Sequence, residues 1–270
     1  MSKTWTELEI VREKPAAFRA GRRIHVAFKE GGWVYNYLVD HKASTHLVVF
    51  LPSAMPKAKR LVPSFHRHSW SDSLACSTIC VSDPTLRLNE ELLGGWFLGR
   101  HDDHVLRHVA GHLEAFAGQL GVRLENVLFA GSSLGGFAAI ALATLLRGAH
   151  AYAENPQTDL RRYLAGPLAT LDRHCFGGRM AHVAQAQPQR FSLLDLFAAE
   201  GYTPSFMMIQ KASDDFHLQH HALPFIRTLI DTGRFAGHFE VMPASADPSG
   251  HTPLTREQFL LRARLILPIS

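Results

Sequence analysis

The stretch Gly131-Ser132-Ser133-Leu134-Gly135 carries the pattern G-x-S-x-G, with Ser133 at its centre. A serine flanked this way can act as a nucleophile on a tight turn, because glycines without Cβ atoms let other backbone come close. The pattern arises by chance in roughly one chain in ten of this length, so its setting matters more than its letters. An apolar run, Val127 to Ala130, precedes it, and a small-residue helical run, Ser133 to Leu146, follows. Such a turn lifts the hydroxyl above the end of a sheet, and the helix start aims N–H groups at a developing oxyanion. Leu134 would supply one of them.

A serine hydroxyl needs a base to take its proton and an acid to orient that base. Two later loops offer both: Lys211-Ala212-Ser213-Asp214-Asp215, and Asp247-Pro248-Ser249-Gly250-His251-Thr252-Pro253. Each follows a predicted strand, Phe206 to Gln210 and Phe239 to Met242, so both leave the sheet edge where Ser133 stands. His251 is expected to serve as general base and then general acid. Asp214 is expected to orient its ring, with Asp215 the alternative. His217, His220 and His221 fall on a predicted helix, Phe216 to Ile230, that would carry them past the edge, and His238 precedes its strand. The oxyanion hole needs a second donor, from the loop after strand His46 to Leu51. Pro52 has no N–H, so Ser53 or Ala54 would have to serve.

The elements that position these residues alternate strand and helix. Arg22 to Phe28 and Trp33 to Val39 read as an antiparallel hairpin around Glu30-Gly31-Gly32. Thr78 to Val81 and His150 to Ala153 read as buried strands. Apolar positions Val105, Val109, Leu113 and Phe116 mark a helix, and a last one is expected near Leu254 to Leu265. The whole reads as one α/β domain over residues 1–270: a mostly parallel central sheet with helices on both faces. Between Asn155 and Thr203 the pattern gives short helical pieces and no strand. Residues 155–203 are therefore expected to form a helical, cap-like insertion over the sheet edge, where substrate sites form in open α/β folds.

The elbow with its late acid and late histidine resembles the α/β-hydrolase superfamily over nearly the whole chain. That resemblance implies the α/β-hydrolase fold and an acyl-enzyme on Ser133. Four further stretches, Phe65-His66-Arg67-His68-Ser69-Trp70, Ser82-Asp83-Pro84-Thr85-Leu86, Gly95-Trp96-Phe97-Leu98-Gly99 and Asn155-Pro156-Gln157-Thr158, resemble hydrolase-like proteins of bacterial surface-glycan loci. These include the acyltransferase-like component of the accessory Sec system. The likeness implies O-acetylation or deacylation of glycans, with Arg67, Asp83 and Trp96 lining or bracing the site. Ser132, beside the nucleophile, joins them as a candidate substrate contact.

Composition narrows the remaining classes. With 28 Lys plus Arg against 24 Asp plus Glu in 270 residues, and 46% hydrophobic content, the chain reads as globular and only mildly basic. Its basic residues form short clusters without interleaved aromatics, which argues against nucleic acid as a partner. No apolar stretch approaches the roughly 20 residues of a membrane span. No secretory pattern shows in Met1 to Ile10, and the 3 cysteines, Cys76, Cys80 and Cys175, suit reduced thiols in the core, so a cytoplasmic location is expected. His104, His108 and His112 share a helix face, but Val109 occupies the glutamate slot of H-E-x-x-H, so a solvated face is expected rather than a metal site. No phosphate-binding glycine pattern occurs, and no cofactor is expected. The reading is a serine esterase or acyltransferase acting on a small-molecule or glycan ester. Its alternatives are a catalytically silent relative that binds glycan or assists assembly, and, further off, a serine peptidase. The oligomeric state stays open.

Overall fold

Residues 10–243 and 250–269 are described in a computed structural model of the chain. Among the described residues nine strands form one sheet: β1 (Ile10–Val11), β2 (Arg22–Glu30), β3 (Trp33–His41), β4 (Leu47–Phe50), β5 (Ser77–Ser82), β6 (Val127–Ser132), β7 (His150–Glu154), β8 (Ser205–Lys211) and β9 (Gly237–Met242). Their spatial order is β1-β2-β3-β5-β4-β6-β7-β8-β9. The β2–β3 hairpin and the β3–β5 pair are antiparallel, and from β5 through β4 to β9 every pairing is parallel. The observed strands contain the expected ones, running up to two residues further at their ends, except β4, which is one residue shorter at each end than the expected His46 to Leu51. The opening residues Met1 to Glu9 and the loop residues Asp247-Pro248-Ser249 lie outside the described residues.

The helices are α1 (Val105–Gln119), α2 (Leu134–Leu145), α3 (Ala165–Leu171), α4 (Met180–Ala186), α5 (Leu193–Glu200), α6 (Asp215–His217), α7 (Leu223–Asp231) and α8 (Arg256–Ala263). The central strand β6 shows why they fall on both faces. Its Val127 and Phe129 pack with α1 and α2 on one side, and Leu128 and Ala130 pack with Phe259 and Ala263 of α8 on the other. Helix α2 is apolar all round and buried from Leu134 to Thr144, as a helix enclosed on every side must be. The expected helix Phe216 to Ile230 is α6 and α7 joined by a π turn at Leu218–Ala222. Helix α8 is shorter than expected, because Thr255 caps it: its side chain accepts from Gln258 N–H while the Gln258 side chain accepts from Thr255 N–H.

Between β7 and β8 the chain forms α3, α4, α5 and short helical turns, without a strand of the sheet, as expected for residues 155–203. Arg190 ties this segment to the loop before α1, donating to the carbonyls of Leu98, Arg100 and His101. The expectation of a solvated histidine face on α1 is corrected. The β2–β3 hairpin lies across it, so His112 is buried, bonded to Tyr37 Oη at 2.8 Å and to Glu30 at 2.5 Å. Burial likewise holds His104 well below the ordinary imidazole range. The three cysteines are buried thiols, pushed by desolvation up to about 11 or 12. No helix among the described residues is long and apolar enough to cross a membrane.

Candidate active site

Ser133 sits between β6 and α2 with φ 56° and ψ −119°, a left-handed conformation that costs an L residue about 1–3 kcal/mol. The surroundings enforce it. Ser133 N–H donates to Glu154 O at 2.8 Å, and Ser133 O accepts from the N–H groups of Gly136 and Phe137. A Cβ on Gly131 would lie 2.3 Å from the Gly135 backbone, and one on Gly135 2.7 Å from Pro52 O. The elbow therefore requires both glycines for close approach. The Leu134 N–H heads the first turn of α2, where no intrahelical acceptor exists.

Past the end of β8, two strands over from the elbow, Asp214 is buried and gathers two imidazoles. Its Oδ2 lies 2.5 Å from His251 Nδ1, and its Oδ1 lies 2.9 Å from His217 Nδ1. Asp214 also accepts from the His217 N–H as the cap of α6. Burial alone would raise this carboxyl, but the bonds and charges of the two rings outweigh it and hold Asp214 far below the usual carboxylate range. Asp215, the alternative acid, points into solvent. The two rings stack face to face, centroids 4.0 Å apart. His251 reaches this position because Gly250, at φ 62°, lies against the Ser213–Asp214 peptide, where a Cβ would come within 2.4 Å of backbone. Beyond it, Lys211 Nζ donates to Thr252 Oγ1, and Glu154 accepts from Leu254 N–H.

The placement of His217 corrects the expectation that its helix carries it away. Asp214 starts that helix, so the residue three positions on folds back onto the same carboxylate. Burial and the neighbouring His251 lower the His217 ring below the ordinary imidazole range, against the pull of Asp214.

Ser133 Oγ makes no direct bond to an imidazole among the described residues. Gln157 Nε2 donates to it at 2.8 Å and also reaches His217 Nε2 at 2.7 Å. The Gln157 Oε1 accepts from Trp96 Nε1 at 3.0 Å. Gln157 follows β7 at the rim, where Asn155 pins the strand end by accepting from Lys211 N–H and donating its own N–H to Ile209 O. In the sequence Gln157 lies within the Asn155-to-Thr158 stretch with no role of its own; its place just past a strand that neighbours the elbow is the signal that marks it.

The other candidates divide. Ser53 N–H donates to His66 Nδ1 at 3.2 Å and its hydroxyl to Ser132 O at 2.9 Å, so it is occupied, whereas Ala54 N–H has no partner among the described residues. Ser132 is itself buried beneath the elbow. Asp83, expected to line or brace the site, is fully buried, and its two oxygens accept from the N–H groups of Thr85 and Phe97. It thereby holds Trp96 and Phe97 in left-handed conformations (φ 48° and 53°) and aims the indole at Gln157. Arg67 is also a brace, since its guanidinium pairs with buried Glu154 at 2.7 Å and stacks on Trp70. Asp214, His217 and His251 form a group within 4.8 Å, but each Nδ1 faces its own carboxylate oxygen, a hydrogen-bonded arrangement rather than a chelate. An apolar cleft of about 450 Å³, lined by Ala54, Met55, Leu92, Leu93, Trp96 and Tyr163, adjoins the elbow. A larger groove of about 750 Å³ near Arg12, His25 and Arg87 shares no residue with the site.

Sheet order, elbow and late acid and histidine loops define the α/β-hydrolase fold. Solved structures agree. The chain is similar to the capsule O-acetyltransferase of Neisseria meningitidis serogroup A (12% identity, TM-score 0.60, 88% of this chain and 95% of that one). It is similar to an S-formylglutathione hydrolase from Agrobacterium tumefaciens (13%, 0.63, 93% and 97%). It also matches fluorophosphonate-binding serine hydrolase F of Staphylococcus aureus (13%, 0.62, 92% and 99%). No protein-family model matches the chain, and no curated protein matches it in sequence.

Proposed function

We propose that this protein is a serine esterase or acyltransferase that forms an acyl-enzyme on Ser133. The observation that carries the reading is a strained, buried elbow serine linked through Gln157 and His217 to the carboxylate that also holds His251. In this mechanism Ser133 Oγ attacks the acyl carbonyl and its proton passes to His251 Nε2. Asp214 holds the His251 Nδ1–H and stabilises the imidazolium. The N–H groups of Leu134 and Ala54 receive the developing oxyanion. Collapse breaks the ester C–O bond, and His251 returns the proton to the departing alcohol. Water or a sugar hydroxyl then gives its proton to His251 and takes the acyl group; the Ser133 Oγ–C bond breaks, and His251 returns that proton to Ser133 Oγ.

The apolar cleft beside Ala54 and Trp96 suits the acyl portion. The O-acetyltransferase and the hydrolases among the similar structures support ester chemistry, and the former supports an O-acylated glycan as substrate or product. The helical segment 155–203 serves in this reading as the cap. A chromogenic short-chain ester should give a burst of alcohol with the wild type and none with Ser133→Ala. Equal turnover by both would remove Ser133 from the reaction. Mass spectrometry of products with and without an oligosaccharide acceptor separates transfer from hydrolysis.

A further inference from the structure

Two imidazoles share one carboxylate here, so something must decide which of them is free to take the serine proton. We propose that Gln157, fixed by Trp96, is a positioning residue that locks His217 with its only ring proton on Nδ1, and so reserves His251 as the proton acceptor. The inference rests on the acyl-enzyme reading for the role of His251, but the lock itself is a matter of donors and acceptors.

An indole N–H can only donate, so the Gln157 atom facing Trp96 Nε1 is its oxygen. The two amide hydrogens are thereby turned toward Ser133 Oγ and His217 Nε2. A ring nitrogen that accepts an amide hydrogen carries no proton. The single proton of neutral His217 must then sit on Nδ1, where it donates to Asp214 Oδ1 at 2.9 Å. The His217 Nε2 lone pair is spent on the amide and cannot serve as base. By contrast, His251 Nε2 has no hydrogen-bond partner among the described residues, while its Nδ1 is held by Asp214. Protonating His217 would set N–H against N–H at Gln157, with the His251 ring 4.0 Å away, the His221 ring at 5.4 Å and the Tyr163 ring at 6.0 Å; of the charged groups facing it, only Asp214 favours the cation. The same amide donates to Ser133 Oγ and fixes the side chain from which the proton leaves.

Long-range proton–nitrogen NMR of the whole protein labelled at histidine reads this directly, with the His217 signals assigned by their loss in His217→Gln. At pH 7.5 we expect a neutral His217 ring with its proton on Nδ1; a proton on Nε2, or on both nitrogens, would overturn the lock. Gln157→Glu, whose carboxylate can only accept at this pH, should add a proton to Nε2, and an unchanged ring would also overturn it. In Trp96→Phe the amide loses its anchor, and exchange between ring forms should replace the single one. Gln157→Glu should lower kcat roughly 100-fold with KM within about twofold, since the amide touches the nucleophile and not the substrate; an unchanged kcat would overturn the positioning role. Fluorophosphonate labelling of the wild type tests the acyl-enzyme reading apart from this, because the NMR result needs no substrate.

Discussion

Replacing Gly250 by alanine should uncouple His251 from Asp214 while leaving the sheet intact. Two costs add. The left-handed φ of 62° penalises a residue with a Cβ by about 1–2 kcal/mol. The new Cβ would also lie 2.4 Å from Ser213 C and 2.5 Å from Asp214 N, about 1 Å inside ordinary contact, and neither backbone atom is the end of a flexible chain. The loop must retreat by roughly that 1 Å, which turns the 2.5 Å Asp214–His251 contact into one of about 3.5 Å, beyond a hydrogen bond. A base misplaced by about 1 Å costs about 100-fold in kcat. Gly201→Ala is the control: its φ is 60°, but nothing lies within 4 Å of the added Cβ. Both variants should lose similar stability from φ, and only Gly250→Ala should lose activity. Wild-type kcat for Gly250→Ala on a short-chain ester, or an equal loss in both variants, would refute the argument.

Stability should fall on mild acidification. Burial lowers His66 to about 4 and His221 to about 3, from 6.5. Between pH 6.5 and these values the unfolded chain binds more protons than the folded one, so stability drops as pH falls through that window. At pH 5 the loss is about 2 kcal/mol for each ring, or a melting temperature lower by about 10 °C than at pH 7. Asp214, held low by its partners, withdraws its own contribution only below the ordinary carboxylate range. A melting temperature flat from pH 7 to 5 would contradict this. Arg67→Met should strand Glu154, which burial already pushes upward, and cost about 3–5 kcal/mol in denaturant unfolding; a loss under 1 kcal/mol would show that the pair braces nothing.

Much of the fold was legible because it rests on short-range patterns. Strand β6 alternates between two packed faces, glycine spacing marks the elbow, and chain order places the acid and histidine loops at the same rim. Asp214 could be preferred over Asp215 from the sequence, and their opposite exposure separates them. What was not legible depends on tertiary contact. The buried His112 needs the hairpin folded across α1, and no helical periodicity reports that. His217 was set aside because a helix was expected to begin at Phe216, whereas the capping role of Asp214 turns the first helical turn back into the site. The engaged Ser53 N–H depends on His66, thirteen residues away along the chain. Gln157 is one residue at a strand exit, without a spacing that announces it, and its meaning comes from Trp96, Ser133 and His217 together.

The central claim is an activated hydroxyl at Ser133. Native protein incubated with a fluorophosphonate probe, digested and weighed by mass spectrometry, tests it most directly. One adduct is expected, on the peptide containing Ser133, absent in Ser133→Ala and slowed in His251→Gln. An unlabelled Ser133 peptide from folded protein, or labelling undiminished in His251→Gln, would contradict it.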